Sequence, residues 1–329
     1  MKTAIRVLII FLLVSHQNFS QWHKQKSGVT HWLWSVSFID LDNGIAVGDS
    51  GSILRTIDSG INWTSQSSGT VEPLMGVSLL DLYTGIVVGE DGTILKTSDN
   101  GLTWKFQPSG TNNWLWSVSF ASLNNGIIVG DAGTILKTSN CGIKWVTQSS
   151  GTKNNLWSVC FTDSEIGFAV GDVGTILKTT DGGINWISES SGTDEPLMGV
   201  SFADPYNGIV VGEDGTILKT TNGGQDWTLQ SSGTTLRLWS VNLIDSQNGI
   251  SVGDIGTILG TTNGGITWIS ESGGTAIRIT SDGGKTWTLQ SKGIINHLYD
   301  ISFIDSNNAI VVGEDGIIMR TTNGGVISK

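Results

Sequence analysis

Positive charge is in short supply in this 329-residue chain, where 18 Lys and Arg stand against 29 Asp and Glu for a formal net charge of −11. Nucleic acids and anionic membrane surfaces recruit basic patches, so neither is expected as a partner. Cysteine is nearly absent. Cys141 and Cys160 are too few for a disulfide framework and sit in different kinds of segment, so free thiols are expected. Beyond residue 20 the histidines are only His23, His31 and His297, too dispersed to suggest a metal site or a catalytic base. Apolar residues with the 3.6-residue spacing of a helix are scarce throughout, which excludes helical repeats. The one long apolar run, Val7 to Val14, is too short to cross a bilayer, where about 20 residues are needed. With Lys2 and Arg6 before it and the small Ser20 after it, residues 1–20 read as a secretory signal peptide. Losing those two charges takes the rest, from residue 21, to −13. A secreted, periplasmic or cell-envelope protein follows, with no membrane span after cleavage.

What the chain has in abundance is glycine and tryptophan, 45 and 14 residues. Trp22, Trp63, Trp104, Trp145, Trp186, Trp227 and Trp268 recur with a constant step of 41 residues. A second landmark keeps the same step: Gly48, Gly89, Gly130, Gly171, Gly212 and Gly253, each between a valine and an acid. Self-similarity at this length, with short β-branched runs separated by Gly, Asn and Asp, has the period of a four-stranded propeller blade. In the first unit "WLWSVSF" alternates as a strand that puts Trp34, Val36 and Phe38 on one face. "GIAVG" forms a second strand, "DSG" a tight hairpin in which glycine takes positive φ, and "SILRT" the return. The fourth strand, "WTSQS", is polar, as suits an outer edge that must not pair with other chains.

The turn before each tryptophan carries the most specific motif. Thr56, Asp58, Gly60 and Trp63 in the first unit, and Thr179, Asp181, Gly183 and Trp186 in the fourth, resemble the Asp-box of bacterial neuraminidase repeats. An Asp carboxylate accepts backbone N–H bonds inside such a turn, and the indole covers it. The eight box positions are Asp58, Asp99, Asn140, Asp181, Asn222, Asn263, Asp282 and Asn323. Asn at four of them removes the charge but keeps the hydrogen bonding, so the boxes are expected to be structural, with no metal, cofactor or catalytic role.

The units resemble more closely the repeat of the photosystem II stability and assembly factor family. "GVSFADPYNGIVVGEDGTILKTTNGGQDW", from Gly199, and its counterparts carry the resemblance over essentially the whole chain after residue 20. It implies a β-propeller and a lumenal chaperone that holds a reaction-centre subunit through an arginine-rich patch. Here the arginines beyond residue 20 are Arg55, Arg237, Arg278 and Arg320, and Arg55 and Arg320 replace the repeat lysine seen at Lys96. The patch does not transfer.

The landmark glycine after Gly253 is Gly313, 60 residues on instead of 41. Residues 275–293 fill the excess with a third and a fourth strand but no first or second, an extra hairpin. Residues 294–329 then supply three strands and stop where a tryptophan strand is due. The fold expected is therefore an all-β, seven-bladed propeller: residues 29–274 form six repeats, and 21–28 close the last blade as its fourth strand. Residues 21–329 make one domain.

In an up-and-down blade the loops between strands four and one, and two and three, share one rim, opposite the Asp-boxes. That rim gathers Asp49, Glu90, Asp131, Asp172, Glu213, Asp254 and Glu314. It also receives Trp34, Met75, Trp116, Trp157, Met198, Trp239 and Tyr299, with Trp32 and Trp114 just before two of them. Aromatic rings beside carboxylates grip sugars or a peptide; they equally pack between blades while the acids cap turns. An enzyme is not expected: the dispersed arginines lack a sialidase's cluster, and the constant step leaves no room between residues 22 and 268 for the long loops that carry paired carboxylates in propeller glycosidases. The sequence thus describes a monomeric, non-catalytic binding or assembly scaffold whose rim meets a protein or a glycan, with a photosystem II assembly factor as the alternative and a secreted glycoside hydrolase third.

Overall fold

In the computed structural model, which describes residues 22–272, 277–279, 288–291 and 294–322, the second strand of every unit is buried on both faces. That is why those segments read as unbroken small apolar runs. Seven four-stranded antiparallel sheets result. Blades one to six have inner strands Leu33–Phe38, Leu74–Leu79, Leu115–Phe120, Leu156–Phe161, Leu197–Phe202 and Leu238–Leu243. Blade seven joins Leu298–Phe303, Ala309–Gly313 and Ile318–Thr321 to His23–Gln25, where His23 lies opposite Arg320 and Gln25 opposite Ile318. Ile277–Ile279 and Thr288–Ser291 form a separate antiparallel pair. Residues 1–20, expected to be a signal peptide, and Asp282 and Asn323 fall outside the described residues.

Each pair of neighbouring blades encloses one apolar cluster. Ile45, Val47 and Ile53 of blade one, for instance, meet Leu74, Val87 and Trp104 of blade two. Seven clusters serve seven junctions, and the one between blades seven and one holds Ile310, Val312 and Ile318 against Leu33, Ala46 and Trp63. Burying one such side chain stabilises by roughly 1.5–3 kcal/mol, so each junction outweighs any single polar contact. Trp22 packs on the cluster between blades six and seven.

The inner strands depart from simple alternation. Leu33 pairs with Gly48 and Ser35 with Val47, so Trp34 faces no partner and forms a β-bulge. The same shift occurs in all seven blades. A bulge re-aims its side chain, so Trp34 does not share a face with Val36 and Phe38. Leu33 and Val36 turn into the blade junction instead. The bulge also explains the landmark glycines: a Cβ on Gly48 would lie 2.0 Å from the Trp32 carbonyl oxygen, and equally close contacts recur at the other six. The residue after the bulge faces the axis, as Ser35, Gly76, Ser117, Ser158, Gly199, Ser240 and Asp300.

Asp300 breaks that neutral series. Its carboxylate accepts from the Ser240 hydroxyl of blade six (2.8 Å), the Ser35 hydroxyl (2.9 Å) and Val36 N–H (3.0 Å) of blade one, and its own Ile301 N–H (2.8 Å). One side chain thus ties three blades together. Burial raises its pKa above the ordinary 3.8, and the four donors oppose that rise.

Two consequences are measurable. Deleting residues 21–28 should lower the melting temperature well beyond the effect of an equally long surface deletion, because it strips Ile318–Thr321 of its partner and removes Trp22; an unchanged midpoint contradicts this. The second concerns pH. A folded pKa above the unfolded one means that Asp300 favours folding fully below the unfolded value and loses that contribution as pH rises through the folded value. Asp300→Ser, which installs the residue of blades one, three, four and six, should therefore gain on the parent as pH rises from about 4 to 8, with a slope of up to about 1.4 kcal/mol per pH unit. Thermal melts of the two chains across that range decide it; the Asp-box carboxylates act in both and cancel.

Candidate functional site

The rim opposite the Asp-boxes is built by two hairpin devices. Between strands two and three, the residue after each acid and the glycine that follows both take left-handed backbone, as in Asp91 (φ 52°) and Gly92 (φ 67°). Two consecutive positive φ values make a type I′ turn, whose twist matches that of the strands. The expectation of a left-handed glycine held, but its neighbour is left-handed too, including the β-branched Val173 and Ile255. The second device is the acid's own N–H, which donates to the carbonyl of the residue before the inner strand, Asp49 to Trp32 and Asp131 to Trp114. The loop before each blade is thereby pinned to the turn within it.

The bulge then delivers the aromatic ring to the acid. Indole Nε1 of Trp34 donates to Asp49 Oδ1 at 2.6 Å, and Trp116 to Asp131, Trp157 to Asp172 and Trp239 to Asp254 at 2.7 Å each. The acids and rings expected on one rim are together there, in direct contact. Sequence reading took the two sets separately and missed a signal: where the bulge residue is Trp the acid is Asp, and where it is Met75, Met198 or Tyr299 the acid is the longer Glu90, Glu213 or Glu314. Only the indole offers an N–H at the reach of an aspartate.

The rings form two walls. Trp116 lies between Trp114 (centroids 5.0 Å) and Trp157 (4.7 Å) on blades three and four. Tyr299 stacks on Trp34 (4.3 Å), with Trp32 and Trp239 against its other sides, across blades six, seven and one. Met75 and Met198 stand between the walls. At those two blades the axial residue is glycine because the next blade comes close: a Cβ on Gly76 would sit 2.9 Å from the Trp116 carbonyl oxygen, and one on Gly199 3.0 Å from that of Trp239. The walls surround an axial cavity of about 150 Å³ with Asp300 at its side.

Charge is distributed unevenly. Arg237 forms an ion pair with Glu213 and lies 4.5 Å over the Trp239 ring, while His297 Nδ1 is 2.7 Å from Asp254 Oδ1. Tyr299 has its pKa raised by burial and by the surrounding carboxylates, so it stays a neutral phenol. Arg55 reaches the opposite face, where it donates to the Asn100 carbonyl of the next blade (2.5 Å), as Lys96 does to Cys141 (2.6 Å). Arg320 lies on the third strand of blade seven and Arg278 in the extra hairpin, so no arginine patch forms among the described residues.

On the far face the box side chains are consumed in their turns. Asp181 accepts from the Thr179 hydroxyl (2.9 Å), Ile184 N–H (3.0 Å), Asn185 N–H (2.9 Å) and Asn185 amide (2.7 Å), and these bonds hold its pKa at about 2. Asp58 and Asp99 are arranged alike and also lowered; partial burial opposes the Asp58 shift, and the Thr103 bonds lead at Asp99. Asn140, Asn222 and Asn263 accept the same turn N–H bonds, and Asn222 and Asn263 reverse the side-chain polarity by donating to Asp226 and Thr267. Both cysteines are free thiols on different blades.

A family model described as photosynthesis system II assembly factor YCF48 matches residues 14–106, 106–190, 138–228 and 189–270. No curated protein matches the chain. Among solved structures, a YCF48 bound to a D1 peptide aligns with TM-score 0.73 and 20% identity over 92% of this chain and 97% of that one. YCF48 from Cyanidioschyzon merolae gives 0.71 and 18% over 91% and 98%. The GH74 xyloglucanase of Xanthomonas campestris gives 0.70 and 13% over 93% of this chain and 54% of its own. At these identities the solved structures share the fold.

A double-mutant cycle tests the ring–acid pair. Asp131→Ala strands a half-buried indole N–H and should cost about 1 kcal/mol in denaturant unfolding. In the Trp116→Phe background the same change should cost less, giving a coupling of about 0.5–1.5 kcal/mol. Zero coupling would show that the bond does not order the rim.

Proposed function

The chain belongs to the YCF48 family of photosynthesis system II assembly factors, and on that premise we propose that it is a non-catalytic assembly scaffold, exported and monomeric, which holds a polypeptide segment on the acid and aromatic rim. The photosystem role of the family is the reading that membership favours. A relative bound to a D1 peptide supports a protein as the partner. The observation that carries the reading is the rim itself: a ring of type I′ turns around a concave aromatic centre, with no long loop across it among the described residues. Half-exposed Trp32 (38%) extends that surface outward.

Catalysis is disfavoured by the same geometry. A glycosidase needs one carboxyl free to protonate and another free to attack or to activate water. Here Asp49, Asp131, Asp172 and Asp254 each hold an indole N–H. No arginine cluster forms among the described residues, in contrast to the patch that the family resemblance implies, and this directs attention to a client of different charge.

A photo-crosslinking residue placed at Val173, on the rim, should capture a polypeptide from the native envelope or photosynthetic membrane, whereas one at Ile184, on the Asp-box face, should not. Both positions are more than half exposed, so access is equal. Charge reversal at Asp131 and Asp172 should abolish the Val173 adduct. Equal adducts at both positions, or capture of a glycan alone, would overturn the reading.

A further inference from the structure

On blade five Glu213 has an ion-pair partner in Arg237, and on blade six Asp254 contacts His297. The rim acids of blades one to four, Asp49, Glu90, Asp91, Asp131 and Asp172, have no ion-pair partner among the described residues, and the rim loops of these blades contribute only Lys26, His31 and Lys153 as basic side chains. The crowding is felt at Glu90, whose pKa is raised by partial burial and then by Glu72, Asp91 and Asp49. A sector of like charges, left uncompensated by the fold, is stabilised by whatever cation arrives there.

The centre next to this sector has a second property. Trp116 and Trp157 wall one side of the axial cavity, with Trp114 against Trp116, and aromatic faces attract cations. The indoles of Trp116 and Trp157 each donate to a carboxylate, which polarises them toward a more negative ring face. Farther in, Asp300 is a partly buried carboxylate with hydrogen bonds from three blades and no cation near it among the described residues. The cavity of about 150 Å³ holds about five waters' worth of volume, enough for one ammonium or guanidinium head and too little for a folded element.

We propose that the axial mouth between the two aromatic walls receives the cationic head of a Lys or Arg side chain from an extended, basic segment of the partner, with the acids of blades one to four flanking its backbone. The proposal rests on the scaffold reading above and supplies the chemistry of its partner. It also inverts the arginine-rich surface that family resemblance alone implies.

The test uses the full chain and short synthetic peptides identical except for a central Lys, Arg, norleucine or Glu, read by tryptophan fluorescence. The Lys and Arg peptides should bind at least about tenfold more tightly than the norleucine peptide, the Glu peptide should bind least, and added salt should weaken the first two. Asp131→Asn combined with Asp172→Asn keeps an oxygen acceptor for each indole, so the melting temperature should hold while affinity for the Lys peptide falls about tenfold or more. Tetramethylammonium chloride is the free-cation probe and should compete only weakly. Equal binding of the Lys and norleucine peptides overturns the cationic head, and tetramethylammonium binding as tight as the Lys peptide overturns a polypeptide as its source. If the Lys and Arg peptides fail while crosslinking at Val173 still captures a polypeptide, this inference falls and the scaffold stands; if both fail, so does the scaffold.

Discussion

A blade of this protein cannot bury its two apolar faces alone. Each face needs a neighbour, and seven junction clusters supply one to every blade, including the junction between blades seven and one. The constant 41-residue step follows from this constraint, since every unit must present the same two faces at the same angle. The first and last described strands answer to it as well. Pairing His23–Gln25 with Ile318–Thr321 places them in one blade, and Asp300 adds polar ties from that blade to the two beside it.

The repetition made much of the fold readable. Tryptophan spacing, landmark glycines and the polar fourth strand located the blades, the strands and the two faces, because each reflects a requirement met seven times over. What escaped was backbone detail that a two-residue period does not encode. The bulge moves Trp34 and its counterparts off the face that alternation assigns, and the seven landmark glycines exist because of it. The pairing of Trp with Asp and of Met or Tyr with Glu was written in the repeats. It became meaningful only once the bulge set ring and acid at hydrogen-bonding distance. Asp300 sat in plain view in "LYDISF", yet nothing in a single strand shows that its neighbours in space are blades six and one.

On the proposed reading, the rim serves structure and recognition with the same atoms. Hydrogen-bonded to indoles, the aspartates stiffen the mouth and cease to be free acids for chemistry. Their charge remains. On blade five Arg237 pairs with Glu213 and on blade six His297 contacts Asp254. The acids of blades one to four have no such partner among the described residues and share the rim with Trp114, Trp116 and Trp157. Preorganisation of this kind lowers the ordering cost of binding, so a modest contact area can still select a partner by charge and shape.

Hydrogen exchange of the complete chain, alone and with its crosslink-identified partner bound, bears most directly on the claim that this ring presents one rim to one client. The account expects added protection confined to the turns after Asp49, Glu90, Asp131 and Asp172 and to the loops that precede the inner strands. Protection centred instead on the Asp-box turns around Ile61, Leu102 and Ile143, or on the outer edge strands, would contradict it.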